Sequence, residues 1–267
     1  RNKKSVTINL RTDEGRDMVR RLAERVDVLI ENFRPGTMEK WGLGPDDLRE
    51  ANPGLIYARV SGYGQDGPYS SRPGYASVCE GVGGLRFLNG FPDGPPVRPN
   101  LSLGDSLTGL HTAFGILLSL FRREKAGKGA GQNVDVAIYE AVYNMMEAVV
   151  PEYDRMGMVR GPSGTTITGV VPTNTYPTLD NKHVIIGGNG DSIFVRLMDT
   201  VGRPDIGSEP ELKHNAGRVI HQERIDAAIA EWTKTLDASE ILTTLEGVNV
   251  PAGLIYSVAD MVDDPHY

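Results

Sequence analysis

The sequence predicts an α/β fold: a larger domain built on a parallel sheet, followed by a smaller α+β domain. Three observations predict it. Strand-like apolar runs and amphipathic helical stretches alternate through the first sixty residues, the order that a parallel sheet wrapped by helices requires. Val28-Leu29-Ile30 is a continuous apolar run, as expected of a strand covered on both faces. A Gly- and Pro-bearing stretch at 151–170 then separates this region from a second alternating unit. With 267 residues the chain is long enough to bury a core in each part.

The elements follow in order. Ser5–Asn9 reads as a strand, and Thr12-Asp13-Glu14 supplies an N-cap and acidic first turn for a helix through Arg25. Met18, Val19, Leu22, Ala23 and Val26 keep helical spacing along it. After the strand Val28–Ile30, Asn32-Phe33-Arg34-Pro35-Gly36 breaks the pattern and a short helix runs to about Trp41. Pro45 suits the first turn of another helix, and Leu55–Val60 is the next strand. Residues 64–104 are rich in loop formers, with a loose helix expected over Tyr75–Leu88. Ser106–Arg123 is the strongest helix, with Gly109, Thr112 and Ala113 as a small-residue face and Leu110, Leu117, Leu118 and Leu120 as bulk. Gly127–Gly131 ends it as a C-cap and loop. Gln132–Ala137 is a further strand leading into a helix over Ile138–Val149. The second unit reads as a strand pair, Tyr176–Thr178 and His183–Ile186, then helices near Ile193–Val201, His221–Thr235 and Ala238–Glu246, and a last strand at Leu254–Ser257. The domain boundaries expected are 1–150, a linker over 151–170, 171–257, and a return segment over 258–267.

Composition narrows the function classes. The 35 Asp+Glu against 28 Lys+Arg give a net charge of −7, which argues against nucleic acid as the main partner. No apolar run approaches the ~20 residues of a membrane-spanning helix, so no membrane partner is expected. A single cysteine, Cys79, excludes an internal disulfide and fits a reducing compartment, so a cytoplasmic location is expected. The chain opens at Arg1 without Met and ends at Tyr267 without a closing element, and reads as an interior portion of a longer protein. Mitochondrial or peroxisomal targeting therefore stays open.

Among motifs, phosphate-loop, Cys-x-x-Cys and Gly-x-Ser-x-Gly patterns are absent, and the five histidines lack metal-ligand spacing, so no metal is expected. Gly187-Gly188-Asn189-Gly190, directly after the strand Val184–Ile186, reads either as a tight turn or as a mobile loop with unblocked amides. Gly104-Asp105-Ser106 opens the strongest helix, where Asp105 reads as an N-cap. That position favours a charged carboxylate, and with a reference pKa of ~3.9 a carboxylate is ionised at pH 7. Such a group can attack an activated acyl carbon without a general base. Capping and catalysis are compatible there.

Taken together, a series of short stretches resembles the class III CoA-transferases, the group of formyl-CoA transferase, carnitine CoA-transferase and the 2-methylacyl-CoA racemases. They are Asn2–Leu10, Asp27–Gly36, Gly42-Leu43-Gly44, Leu55–Gly64, Arg72-Pro73-Gly74-Tyr75, Gly104-Asp105, Gly127-Lys128-Gly129 leading to Val134-Asp135-Val136, Gly187–Gly190 and Pro251-Ala252-Gly253. Each is weak alone; in this order across the chain they are specific. The resemblance implies a Rossmann-like large domain, a smaller domain with the glycine-rich loop, and an interlocked homodimer whose ends lie outside this sequence. It places the catalytic aspartate at Asp105 and the loop that shields reactive intermediates at Gly187, Gly188, Asn189 and Gly190. It places coenzyme A, as an acyl-CoA co-substrate, along Ile8, Arg11, Asn32, Phe33 and Lys40. The activity implied is transfer of CoA from an acyl-CoA to a small carboxylic acid through covalent intermediates on Asp105.

Two alternatives remain at this point. The racemases of the family need two proton carriers; here Tyr75 stands where they have a histidine, and Asp191 is near the position of their glutamate. Transfer is the favoured reading. A non-catalytic acyl-CoA-binding homologue, with Asp105 as a cap only, is the other. Ala76 occupies a position where many members have Asp, which bears on acceptor choice.

Overall fold

The computed structural model describes residues 2–127 and 129–267; Arg1, the opening residue, and Lys128, in the Gly127–Gly131 turn, lie outside the described residues. The chain forms two compact units, Arg1–Pro162 and Ser163–Tyr267.

In the first unit the apolar runs pair as a parallel sheet of order β1-β2-β3. β1 (Val28–Glu31) aligns Val28 with Ile56 of β2 (Ile56–Ser61), which in turn aligns with β3 (Gln132–Ala137). Around it run α1 (Asp13–Ala23), α2 (Thr37–Lys40), α3 (Pro45–Arg49), α4 (Ala76–Val82), α5 (Leu85–Leu88), α6 (Leu103–Ala126), α7 (Ile138–Tyr143) and α8 (Val149–Met156). Thr12 caps α1 by accepting a bond from the Gly15 amide at 3.2 Å, and Pro45 opens α3. Ala23, Met38, Leu43, Leu48, Leu55 and Tyr57 form the core between helices and sheet, with the Tyr57 hydroxyl donating to the Leu43 carbonyl at 2.8 Å.

Several sequence expectations are corrected here. Residues 5–9 are not a strand: Val, Thr and Ile give local preference, but no ladder partner meets them among the described residues, and Val6 is exposed. β1 is not covered on both faces, since Ile30 is 60% exposed. The helix from Ile138 stops at Tyr143, Glu147 takes a positive φ of 50°, and a new helix, α8, runs from Val149 to Met156, into the stretch that read as linker. α6 packs through its small-residue face, a choice the sequence left open. Thr108, Thr112 and Ser119 are buried, and a Cβ on Gly115 would come within 2.8 Å of Val134, whereas Leu110, Leu117 and Leu118 are exposed. The loose helix over Tyr75–Leu88 is two helices, parted at Gly83-Gly84, where Gly84 has φ 94°.

In the second unit β4 (Thr173–Pro177), β5 (His183–Gly187) and β6 (Ala252–Leu254) form an antiparallel sheet in that order. β6 lies two residues earlier than its apolar pattern suggests. Its helices are α9 (Asp191–Thr200), α10 (Pro204–Gly207), α11 (Asn215–Ile220), α12 (Gln222–Thr233), α13 (Ala238–Gly247) and α14 (Val258–Asp263), with a 3-10 turn at Pro210–Leu212. One core joins the sheet to these helices through Tyr176, Val184, Ile186, Phe194, Leu197, Ile225, Ile229, Ile241 and Leu245. Burying each such side chain contributes about 1.5–3 kcal/mol. Among the described residues no helix is long and apolar enough to cross a membrane.

Candidate active site

Asp105 sits in the first turn of α6, but not as its cap. The helix begins at Leu103, so Ser102 takes the cap position and Asp105 is the third helical residue. It still occupies the turn where unpaired amides favour a negative charge. The turn is fixed from α4: Glu80, fully buried, accepts a bond from the Gly104 amide at 3.1 Å. A Cβ on Gly104 would lie 3.1 Å from Glu80 Cγ and 3.4 Å from the Ala76 Cβ, so glycine here permits close approach of α4 and α6. Arg86 and Arg98 stand 3.6 and 3.5 Å from Glu80 Oε2.

Asp105 opens on a cleft of about 630 Å³ whose walls include Ile30, Asn32, Val60, Thr108 and Thr112. The cleft thus lies past the carboxyl end of β1, where open parallel sheets place their ligands. It unites two of the expected site residues, Asp105 and Asn32. The strand end is held by Glu31, which accepts bonds from the Phe33 amide at 2.7 Å and from Arg59 Nε at 2.8 Å. Arg59 also clasps Glu39 at 2.7 and 3.1 Å. Burial works against the Glu39 charge, but the bonds and charge of Arg59 outweigh it and hold the carboxyl below its usual range. Arg59 itself is held above its usual value: burial opposes its charge, and bonds to Glu39 and Glu31 more than compensate.

The other expected CoA-binding residues share one end of this unit. Ile8 and Arg11 flank the turn before α1, whose Leu10 packs on the same core cluster as Trp41. Phe33 meets Trp41 edge-on at 5.3 Å, and Lys40 is the neighbour of Trp41 at the end of α2. Arg11 and Lys40 are exposed and, among the described residues, have no acidic partner. Two unpaired cations and an exposed aromatic face suit phosphate groups and a purine ring.

The glycine stretch belongs to the second unit, and it is more tightly held than a free loop. The Gly187 amide donates to the Pro251 carbonyl at 2.9 Å and the Gly188 amide to the Pro172 carbonyl at 2.8 Å. A Cβ on Gly188 would come within 2.5 Å of Leu197. Only Asn189 and Gly190 leave their amides without a partner among the described residues, so two amides are unblocked rather than four.

Asp191 follows as the first residue of α9. Arg218 donates to its Oδ1 and His214 Nδ1 lies against its Oδ2, both at 2.8 Å. The Arg218 bond, then the His214 contact, holds this carboxyl below the usual range. A racemase acid needs a carboxyl that carries a proton near neutral pH, and Asp191 is pushed the other way. Tyr75, at the histidine position, caps α4 and is 83% exposed.

Sequence reasoning did not find Glu80, Glu31, Arg59 or Arg218. Glu80 had a signal: Ala76, Cys79, Glu80 and Gly83 fall at i, i+3, i+4 and i+7, which puts the carboxylate on the inner face of α4. A second, apolar cavity of about 440 Å³, lined by Phe87, Tyr143, Met146, Val150 and Tyr153, contains none of the expected site residues.

Comparison with known proteins accords with this arrangement. The model of CoA-transferase family III matches residues 1–267. A succinyl-CoA–D-citramalate CoA-transferase of Chloroflexus aurantiacus is 45% identical over 267 residues, covering 100% of this chain and 66% of that protein. A succinyl-CoA:mesaconate CoA-transferase of Haloarcula marismortui is 35% identical over 271 residues, covering 100% and 67%. A solved protein of Mycobacterium tuberculosis superposes with a TM-score of 0.87 at 32% identity, covering 100% of this chain and 70% of that one. A CAIB/BAIF family protein from Brucella suis gives 0.83 at 33%, covering 99% and 69%. The chain therefore spans about two thirds of the length of these relatives, 66% for the citramalate enzyme. By its full-length match and by its fold, the chain belongs to CoA-transferase family III.

Proposed function

We propose that the protein moves CoA from succinyl-CoA to a second small dicarboxylic acid, with Asp105 as the nucleophile. The observation that carries this reading is the exposed Asp105 carboxylate in the first turn of α6, opening on the cleft it shares with Asn32. An Asp105 oxygen attacks the thioester carbonyl, the C–S bond breaks, and the CoA thiolate leaves a mixed anhydride. The thiolate then attacks the Asp105 carbonyl, expelling the donor as free carboxylate and leaving an aspartyl-CoA thioester. The acceptor carboxylate attacks that carbonyl to form a second anhydride, and the thiolate collects the acceptor's acyl group, restoring Asp105. Every nucleophile is already an anion, so no general base is needed. Each activated bond is exchanged for another, so no nucleotide is consumed.

Arg11, Lys40, Phe33, Asn32 and Ile8 are the residues we assign to CoA binding. Gly187–Gly190 is the segment we assign to excluding water from the anhydride and thioester, both of which hydrolyse if exposed. Succinyl-CoA is chosen as donor because the citramalate and mesaconate relatives are named for it. An interlocked homodimer, the assembly the family resemblance implies, is part of the proposal and is tested by sedimentation of the full-length protein.

The chemistry is tested by incubating the full-length protein with succinyl-CoA and analysing the Asp105 peptide by mass spectrometry. A CoA-sized adduct, or its hydroxylamine-trapped remnant, on Asp105 is expected. An unmodified Asp105 under conditions where succinyl-CoA is shown to bind overturns the proposal.

A further inference from the structure

Arg218, in α11, is fully buried, and all five of its N–H groups are used. Nε donates to the Val171 carbonyl at 3.1 Å, and Nη1 to the Leu212 and Lys213 carbonyls, both at 3.1 Å. Nη2 donates to the Asn189 carbonyl at 2.7 Å and to Asp191 Oδ1 at 2.8 Å. The guanidinium also lies 4.9 Å over the Phe194 ring of α9. A buried cation requires compensation, and here it comes from four carbonyls and one carboxylate. Two of those five acceptors bracket Gly190. The shortest of the five bonds is the one to the loop itself.

We propose that Arg218 is the positioning residue of the glycine stretch: by gripping the Asn189 carbonyl and the Asp191 carboxylate from the inner side, it sets the conformation of Gly187–Gly190. The peptide bond is planar and trans, so the Gly190 N–H points opposite to the Asn189 C=O. A guanidinium that draws the carbonyl inward turns that N–H outward, and the Gly190 amide has no partner among the described residues. Gly187 and Gly188 are tied separately to Pro251 and Pro172, so Arg218 governs the half of the stretch that those bonds leave free. His214, on the far oxygen of Asp191, keeps that carboxylate from rotating away. The inference rests on the proposed water-excluding role of the stretch.

The test uses the full-length enzyme with succinyl-CoA and isotopically labelled succinate, so that no other acceptor need be known. Label entering succinyl-CoA measures transfer, free CoA thiol measures hydrolysis, and their ratio does not depend on how much enzyme is folded. Arg218→Lys keeps the charge but loses the planar fork; the hydrolysed share is expected to rise about tenfold. Asp191→Asn, with a half-exposed side chain, serves if the lysine variant does not fold, and a rise of about threefold is expected as one charge-assisted bond becomes neutral. Arg224→Ala breaks a surface ion pair with Glu209 in the same unit and is expected to leave the ratio unchanged. Gly190→Pro, tolerated at φ −71° and lacking the amide, tests the stretch directly. If it raises the hydrolysed share while the Arg218 and Asp191 variants do not, the positioning role falls and the shielding role stands. If Gly190→Pro also leaves the share unchanged, both fall.

Discussion

Glu80 is the residue on which the placement of Asp105 depends, and Glu80→Gln isolates that dependence. The side chain is wholly buried, with Oε1 on the Gly104 amide at 3.1 Å and Oε2 without a hydrogen bond but 3.5 and 3.6 Å from two guanidinium groups. Glutamine retains an acceptor for Gly104 but turns a neutral, donor-bearing group toward Arg98 and Arg86. At an effective dielectric of about 20, each lost attraction near 4 Å is worth up to ~4 kcal/mol. The arginine side chains are 40% and 30% exposed and regain hydration, while the buried carboxylate no longer has to be desolvated. The net loss is therefore about 2 kcal/mol, which lowers the melting temperature by roughly 4–8 °C for a chain of this size. The expected effect on transfer is larger than that implies, because the amide that Glu80 holds immediately precedes the proposed nucleophile. Misplacement of a reacting group by an ångström costs up to ~100-fold, and a fall of about 10- to 100-fold in transfer is expected. Label exchange between succinate and succinyl-CoA, measured beside a thermal melt of the same full-length preparation, reads both. Exchange within twofold of the parent enzyme, in a variant whose melting point falls as expected, would refute the link between Glu80 and Asp105.

Three further outcomes follow from the same geometry. Asp105→Asn removes the proposed nucleophile and is expected to lower transfer at least ~1,000-fold and abolish the adduct, while changing stability by no more than ~1 kcal/mol, the scale of a first-turn charge; exchange kinetics and a thermal melt check both. Gly15→Ala would place a Cβ 2.0 Å from the Asn9 carbonyl oxygen, so it displaces the turn that carries Ile8 and Arg11; KM for succinyl-CoA is expected to rise several-fold, with a smaller change in kcat. Asp180 is held down to about 2 by the Thr178 hydroxyl and then by Lys182. Its folded pKa lies below the unfolded value of ~3.9, so its contribution is complete above about pH 4 and is lost as the pH falls from there towards 2. Urea melts should show a constant stability gap between parent and Asp180→Asn at pH 5–7 that closes across that acid window.

Which parts of this molecule were legible in the sequence follows from the range of the forces involved. β2, β3, α1, α3 and the strand pair of the second unit were readable because apolar period, Pro45 and the Thr12 cap are local signals. The 5–9 segment failed for the converse reason: strand propensity is local, but a strand exists only beside another strand. α6 was found, while the face it turns inward was not. Thr108, Thr112 and Ser119 satisfy their hydroxyls on the carbonyls four residues back, so they can face inward and let the helix approach the sheet closely. Leucine count alone gives no sign of that. Asp105 was found through a motif, yet Glu80 from α4, which fixes the preceding Gly104, sits 24 positions upstream of that glycine and is joined to it only by the fold.

The glycine stretch shows why composition misled in one direction. Four small residues in a row read as freedom, since glycine permits many backbone conformations. In the folded chain the glycines serve nearness instead. Gly188 is there because a Cβ would strike Leu197 and Pro172, and its φ needs no special permission. Nearness brings the backbone against Pro172 and Pro251, whose carbonyls take two of the four amides, and Arg218 takes the Asn189 carbonyl. The amides of Asn189 and Gly190 are thus the two that these contacts leave without a partner among the described residues. Under the shielding role proposed for the stretch such rigidity is a gain, because each open excursion is an opportunity for hydrolysis. The same reasoning explains why Asp191 is unsuited to proton transfer. Its charge is needed to balance a buried guanidinium, and protonating it would release the residue that holds the stretch in place.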